Sequence, residues 1–250
     1  MNIEVMERDI EVYQLVDSTN TIAQRIATSA VEANAPIPHG KVIIAEQQSA
    51  GQGRHGRSFF SPPGHGIYMS FILNPKKLSL QNPALATCFA AVAVCVAIEE
   101  VCKVSSQIKW VNDLFFEGKK ICGISAQAND TMDWIVLGIG INVSLSPEMP
   151  DELRDIVGAI YENKADAVSR CSLVDAIIEK ILCENLSEMG NVIEEYRKRL
   201  FILGKRIRVE GAKTPYEALA IDVNDMGHLI VEDDGGIRHV LRAGEISVRM

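Results

Sequence analysis

Residues 106–143 read SQIKWVNDLFFEGKKICGISAQANDTMDWIVLGIGINV, and this stretch decides the fold. Four strand-like runs occupy 106–110, 113–116, 119–127 and 134–143. Glu117-Gly118 reads as a hairpin turn between two of them, and Asn129-Asp130 as another. The hairpin sets residues 109–114 beside 119–124. Gly138 and Gly140 stand two apart in the last run and so share one face of it. Glycine weakens a strand, so a pair on one face implies that a ligand or a closely packed helix lies flat against them.

Upstream, Asn82-Pro83 opens the most apolar stretch of the chain, 84–98, interrupted by Thr87. Proline suits the first helical turn, where its missing N–H costs nothing. A membrane span needs about 20 apolar residues, so a buried helix is expected here. Runs at 10–15, 41–46 and 67–73 read as strands, and 47–65 as a long polar, glycine-rich loop. Asp17-Ser18-Thr19-Asn20 is rich in helix-capping residues and precedes a helix over 21–33.

Downstream, 151–158 reads as a short helix. Leu173, Ile177, Ile181, Leu182, Leu186, Val192 and Ile193 space an amphipathic helix over 172–200, broken at Gly190. After Leu203-Gly204 the texture changes. Short strands at 206–209, 216–223, 228–232, 237–241 and 245–248 follow one another between Asn, Asp and Gly turns. The expected class is α+β, with a body over 1–203 and a small β-barrel over 204–250.

Lys plus Arg number 25 against 33 Asp plus Glu, a formal net charge of -8. A dedicated nucleic-acid binder needs a basic face to displace counterions from phosphates, so this balance argues against one. Any basic cluster is local. Residues 1–9 lack the basic-then-apolar order of a signal peptide, which makes a cytoplasmic, non-membrane protein the expectation. The six cysteines, at 88, 95, 102, 122, 171 and 183, form no CxxC pair. Three recur every seven residues along one helix stripe, and the set is expected to be small buried core residues without chemistry.

The loop Gly51-Gln52-Gly53-Arg54-His55-Gly56-Arg57 matches G-x-G-x-x-G after a strand, yet fails as a dinucleotide fingerprint. Ser58-Phe59-Phe60-Ser61-Pro62-Pro63 starts no helix after it, and the acid expected about 20 residues on is absent. No Lys-Ser or Lys-Thr closes it as a Walker A loop. What remains is three glycines with Arg54 and Arg57, residue types that admit and bind an anion, against the plain alternative of a solvated loop. Lys109 ends one strand-like run and Lys120 opens another, in segments that the hairpin would bring side by side. Singly, each is an ordinary surface charge, Asn112-Asp113 an ordinary turn and Trp110 an ordinary core residue.

Taken in order, these segments resemble the biotin protein ligase family. The matching pieces are Ser18-Thr19-Asn20, then Ala45-Glu46-Gln47-Gln48-Ser49-Ala50-Gly51-Gln52-Gly53-Arg54-His55-Gly56-Arg57. Lys109-Trp110-Val111-Asn112-Asp113-Leu114 and Lys120-Ile121-Cys122-Gly123-Ile124 follow. The last are Gly138-Ile139-Gly140-Ile141-Asn142 and Gly244-Glu245-Ile246-Ser247-Val248-Arg249. The resemblance implies a catalytic domain like those of class II aminoacyl-tRNA synthetases, followed by an SH3-like barrel. It implies two reactions: biotin and ATP give biotinyl-5′-AMP and pyrophosphate, then a lysine of a biotin carboxyl carrier domain displaces AMP.

The same resemblance implies the site. Ser18, Thr19, Asn20, Gln48, Gln52, Gly53, Arg54, Lys120, Gly123, Gly138 and Gly140 would bind biotin, with Lys120 on its carboxylate. Arg54, Arg57, Lys109, Asn112 and Asn142 would bind ATP or the adenylate. Lys120, Arg54, Arg57, Lys109 and Asp113 would serve the chemistry, and Mg²⁺ would come with ATP rather than on a protein site. Two positions depart from the family, which usually has Arg where this chain has Gln52 and Pro where it has Val111. Seventeen residues precede Ser18, too few for the helix-turn-helix that some members carry, so no DNA-binding role is expected. Monomer and homodimer both remain open.

Lipoate or octanoate ligases and transferases share this catalytic fold and form the alternative. Their RRxSGGG-like motif is absent, as is a reactive-looking cysteine. A non-catalytic binding module is a further alternative, but it would have no need for Arg54, Lys109 and Lys120 together.

Overall fold

Seven strands build the principal sheet: β1 (Ile10–Val16), β2 (Val42–Gln48), β3 (Gly66–Leu73), β4 (Gln107–Lys109), β5 (Asp113–Phe116), β6 (Lys119–Ala128) and β7 (Ile135–Asn142). Their order across the sheet is β1-β2-β3-β7-β6-β5-β4. Only β1 and β2 run parallel, because helix α1 (Thr19–Glu32) crosses between them. The computed structural model describes residues 9–78, 80, 82–164, 169–182, 192–210, 214–242 and 246–248. Readings that rested on residues 1–8, Cys183, Leu186, Gly190, Gly244, Glu245 and Arg249 lie outside the described residues.

Alternation along the strands assigns the two faces. On one face Ile43, Ile72, Trp134 and Val136 pack with Ala23 and Ala27 of α1. On the other, Val42, Phe71, Ile135 and Leu137 belong to a larger core with α2 (Pro83–Cys102), α3 (Arg170–Leu182) and α4 (Val192–Arg199). Ser70, Gly138 and Gly140 continue the rows of Ile72 and Val136, so they open on the α1 face. Ser70 pairs with Gly138, which pairs with Ser125; Gly140 pairs with Gly123. Just beyond the first turn of α1, adjacent strands on this face therefore present Ser70, Gly138 and Ser125 in one row and Gly140 and Gly123, beside Tyr68, in the next.

Helix α2 is apolar nearly all round, and is long and apolar enough to cross a membrane, but 72% of its apolar window is buried in this fold. Asn82 caps it by accepting the Leu85 N–H at 2.8 Å, with Pro83 in the first turn, as expected. Cys88, Cys95, Cys102 and Cys122 are buried. Burial pushes the Cys88 thiol up to about 12 and Cys95 up to about 11. Cys171 departs from the expectation: it sits on the exposed side of the first turn of α3.

The chain from Arg206 onward forms a second, wholly antiparallel sheet: β8 (Arg206–Val209), β9 (Tyr216–Val223), β10 (Leu229–Asp233), β11 (Arg238–Leu241) and β12 (Ile246–Val248), ordered β11-β10-β9-β8-β12. Its inward residues Val209, Ala218, Ala220, Val231 and Ile246 join the same core as α2. Trp110 donates its indole N–H to the Gly227 carbonyl at 3.0 Å, tying the sheets together.

Three local expectations change. Residues 151–158 hold only a 3-10 turn, Asp151–Leu153, because the chain then pairs back onto β6, where Gly158 donates to the Lys120 carbonyl at 2.9 Å. The strand expected over 41–46 runs on to Gln48, and the loop beyond it contains a 3-10 turn at Arg54–Gly56. The Glu117-Gly118 hairpin is present, both residues having positive φ, at 49° and 77°.

Candidate active site

The site begins where α1 leaves its first N–H groups without helical partners. Ser18 occupies the N-cap position, yet its hydroxyl makes no capping bond. Gln48, at the end of β2, supplies the acceptor instead: its Oε1 takes the Thr19 N–H at 2.9 Å and the Thr19 hydroxyl at 3.2 Å. Its amide nitrogen, Nε2, donates to Ser61 Oγ at 2.9 Å. The capping expected of the 17–20 segment itself is thus done from 29 residues away, which leaves the Ser18 hydroxyl outside the cap.

Behind this first turn lies a buried, uncharged polar chain. Ser70 Oγ stands 2.6 Å from Asn20 Oδ1 and 2.7 Å from Thr19 Oγ1. Asn20 Nδ2 donates to Ser125 Oγ at 3.0 Å. The glycines make room for it: a Cβ on Gly138 would lie 2.2 Å from Asn20 Oδ1, and one on Gly140 would lie 2.6 Å from the Phe59 ring. What lies flat on the two glycines is therefore one side chain of α1 and one aromatic ring from the loop.

The loop itself is folded. Gly53 N–H donates to the Arg57 carbonyl at 2.7 Å, Phe59 N–H to the Gly51 carbonyl at 2.8 Å, and Gln52 bridges Ser58. A Cβ on Gly51 would meet the Phe59 carbonyl at 2.4 Å, so glycine is required there. Gln52 Nε2 reaches Thr21 Oγ1 at 3.1 Å, anchoring the loop to α1. Arg54 then points inward, its guanidinium donating to Asn112 Oδ1 at 3.0 Å, while Asn112 Nδ2 donates to the Ile124 carbonyl at 2.9 Å. Lys120 Nζ lies 2.7 Å from Asp113 Oδ1, both partly exposed. Lys109 stands over the Phe115 ring, 5.9 Å from its centroid.

Two connected spaces result. A cavity is lined by Ser18, Thr19, Asn20, Gln48, Gln52, Gly53, Arg54, Lys120, Gly123, Gly138 and Gly140 together with Phe59, Asn112 and Ser125. Beside it runs a groove lined by Arg54, Arg57, Lys109, Asn112, Asp113 and Lys120. Arg54 and Lys120 stand at their junction. A hydrogen-bonding cavity thus opens, past Arg54 and Lys120, onto a strip with four cations and the carboxylates of Asp113 and Glu210.

The biotin/lipoate A/B protein ligase family model matches residues 12–142, which contain every wall of the cavity. The chain belongs to this family. Among its curated relatives is the bifunctional ligase/repressor BirA of Bacillus subtilis, 30% identical over 97% of this chain and 75% of that protein. The biotin--[acetyl-CoA-carboxylase] ligase of Mycobacterium tuberculosis is 28% identical over 96% of this chain and 88% of its own length. Among solved structures, the biotin protein ligase from Aquifex aeolicus in complex with biotin and ATP is 26% identical, with a TM-score of 0.78 over 97% of this chain and 99% of that one.

Against the ligase-family expectations, the structure brings the whole expected biotin set to the cavity wall. Of the nucleotide set, Arg54, Arg57, Lys109 and Asn112 line the groove. Asn142 does not line either space. It ends β7 two residues beyond Gly140, past the ring of Phe59, and its carbonyl accepts the Ile160 N–H at 3.0 Å. Sequence reasoning missed Phe59, Ser70 and Ser125, which only the sheet register and the loop path bring in. It also missed Glu210, Ile246 and Ser247 of the second sheet, which form the far wall of the groove. Alternation from Gly138 could have flagged Ser70 and Ser125 had the strand order been known; nothing local marks Phe59 or Glu210.

Proposed function

We propose that the protein is a biotin–[acetyl-CoA-carboxylase] ligase, which activates biotin with ATP as biotinyl-5′-AMP and then biotinylates a lysine of a biotin carboxyl carrier domain. The observation that carries this reading is the junction of a hydrogen-bonding cavity with a cation-rich groove at Arg54 and Lys120.

The chemistry explains why both parts are needed. In the first step a carboxylate oxygen of biotin bonds to the α-phosphorus of ATP, and the bond from that phosphorus to the bridging oxygen breaks, releasing pyrophosphate. Two anions must approach. At about 4 Å and an effective dielectric near 20 their repulsion is roughly 4 kcal/mol, about a thousandfold in rate. Cations already in place offset it without reorganisation. Lys120 holds the carboxylate in this scheme, and Arg54, Arg57 and Lys109 the phosphates. Asp113 orients Lys120 through their 2.7 Å contact, and Asn112 fixes the Arg54 guanidinium. In the second step the carrier lysine's amine bonds to the acyl carbon, the bond to AMP breaks, and the amine sheds a proton to solvent.

The cavity suits a ureido ring, which offers two N–H donors and one carbonyl acceptor. Ser18, Thr19, Asn20, Gln48 and Ser125 present both acceptors and donors. A lipoyl or octanoyl group offers no such donors and acceptors, so the hydrogen bonds that a ureido ring would gain here, about 1–3 kcal/mol for each buried one, would not form. Among the described residues no three His, Cys, Asp or Glu side chains cluster as a metal site. Mg²⁺ arriving with ATP would neutralise charge on its phosphates. We assign residues 1–203 to a catalytic unit related to class II aminoacyl-tRNA synthetases and 204–250 to an SH3-like barrel that closes the groove through Glu210, Ile246 and Ser247.

Exchange of labelled pyrophosphate into ATP tests the reading, run separately with biotin, lipoate and octanoate. Exchange that depends on biotin alone is expected. Lipoate-dependent exchange would put a lipoate ligase in its place.

A further inference from the structure

Lys120 reaches the junction of cavity and groove only because strand β6 breaks its own alternation. Ser125 and Gly123 line the cavity two residues apart, yet Lys120, which lines it too, comes three residues before Gly123. Between them Ile121 and Cys122, consecutive in sequence, are both fully buried in the core that α2 shares. The register against β5 gives the reason. Leu114 pairs with Cys122 but Phe115 pairs with Lys120, so Ile121 is an extra residue in a β-bulge. A regular strand would turn Ile121 toward the cavity and send the Lys120 ammonium into the apolar core.

The bulged end of β6 finds its second partner in a separate segment. Strand β7 pairs with β6 only as far as Cys122, opposite Ile141. Beyond that point residues 156–161 take its place. The Lys120 N–H donates to the Ile156 carbonyl at 3.0 Å, and the Lys120 carbonyl accepts the Gly158 N–H at 2.9 Å. The Ile160 and Tyr161 N–H groups donate to the Asn142 and Val143 carbonyls, each at 3.0 Å. This approach needs a glycine at 158, where a Cβ would stand 2.7 Å from Lys119 Cβ. Neither Cβ could swing aside, so a side chain at 158 pushes the segment off β6.

We infer that Gly158 is a positioning residue for adenylation: it lets residues 156–158 brace the bulge that delivers Lys120 to the substrate carboxylate. The inference rests on the role proposed for Lys120. Gly158 itself lines neither the cavity nor the groove, so it acts only through that lysine.

The test uses the full chain and two ligands, biotin and its neutral primary amide. A charge-assisted bond from Lys120 to the carboxylate should make wild-type protein prefer biotin by about tenfold or more. Gly158→Ala should bring the two calorimetric affinities close together by weakening biotin alone, and should speed hydrogen exchange at the Lys120 amide. Lys119→Gly removes the atom that the new Cβ meets, so adding it to Gly158→Ala should restore both the preference and the amide protection. Lys119→Gly alone, which also drops an exposed bond to the Arg154 carbonyl, should stay close to wild type. Gly158→Ala that keeps the preference for biotin, or that weakens both ligands together, overturns the inference. So does fast exchange of the Lys120 amide in wild-type protein, a measurement that needs no variant. Wild-type protein that binds biotin and the amide equally would instead overturn the role given to Lys120 in the ligase reading, and the amide exchange would still decide the brace.

Discussion

Gly138→Ala is the substitution whose consequence follows most directly from the geometry. The new Cβ would stand 2.2 Å from Asn20 Oδ1, 2.7 Å from Nδ2 and 2.8 Å from Cγ. All three distances are too short to survive, so Asn20 or the strand must move. Asn20 is 5% exposed, and both ends of its amide are engaged, by Ser70 and by Ser125. Rotation cannot relieve the clash without breaking both hydrogen bonds, and each buried group left unpaired costs about 1–3 kcal/mol. Moving the strand instead incurs an overpacking cost of about 1–3 kcal/mol. The cheaper route sets the loss, about 1–3 kcal/mol, roughly 2–12 °C in thermal midpoint for a chain of this size.

Gly123→Ala is the matched control. Its Cβ would meet the flexible end of Lys120 and the edge of Phe59, each at 3.3 Å. Both can shift, so the thermal midpoint should hold within a few degrees, while Lys120 is pushed from its place and adenylate formation slows. Differential scanning calorimetry beside pyrophosphate exchange reads the two effects separately. A Gly138→Ala protein as stable as wild type, or a Gly123→Ala protein that melts early with normal exchange, would refute the packing assigned to this floor.

Three other outcomes are expected. Lys120→Ala should remain folded but lose biotin-dependent pyrophosphate exchange by about a thousandfold, the scale of the unscreened approach of carboxylate and phosphate; exchange within a few-fold of wild type would show that another cation holds the carboxylate. Gln48→Ala should remove the cap of α1, costing about 1 kcal/mol by chemical denaturation, and should weaken biotin binding measured by calorimetry; a loss of stability without a loss of affinity would separate the cap from the cavity. At pH 8, Cys88 and Cys95 lie far below their raised pKa values of about 12 and 11, so they stay protonated as well as buried. Mass-spectrometric mapping after brief alkylation should find Cys171 labelled and Cys88, Cys95, Cys102 and Cys122 unlabelled.

Local chemistry made much of this fold legible. Strand β5 and strand β9 fall where their alternation and bounding turns put them. Helix α2 was readable as buried from its apolar composition alone, and its Asn-Pro start from capping rules. The convergence of Arg54, Lys109 and Lys120 was partly legible too, since a two-residue hairpin fixes which segments lie side by side. What escaped depends on distant pairing. The cap of α1 comes from Gln48 rather than Ser18 because a β-strand running parallel to β1 ends beside the helix start. Phe59 over Gly140, and Glu210 in the groove that Lys109 lines, are set by a loop path and by sheet packing that leave no periodic trace. The 151–158 segment failed as a helix because pairing with β6 outweighs its local propensity.

Direct isolation of the intermediate tests the central claim most closely. Wild-type protein incubated with ATP, Mg²⁺ and biotin, passed rapidly through a desalting column and examined by mass spectrometry, should carry biotinyl-5′-AMP in near-stoichiometric amount, and Lys120→Ala should carry none. Bound lipoyl- or octanoyl-AMP from parallel incubations, with no adenylate from biotin, would contradict the account.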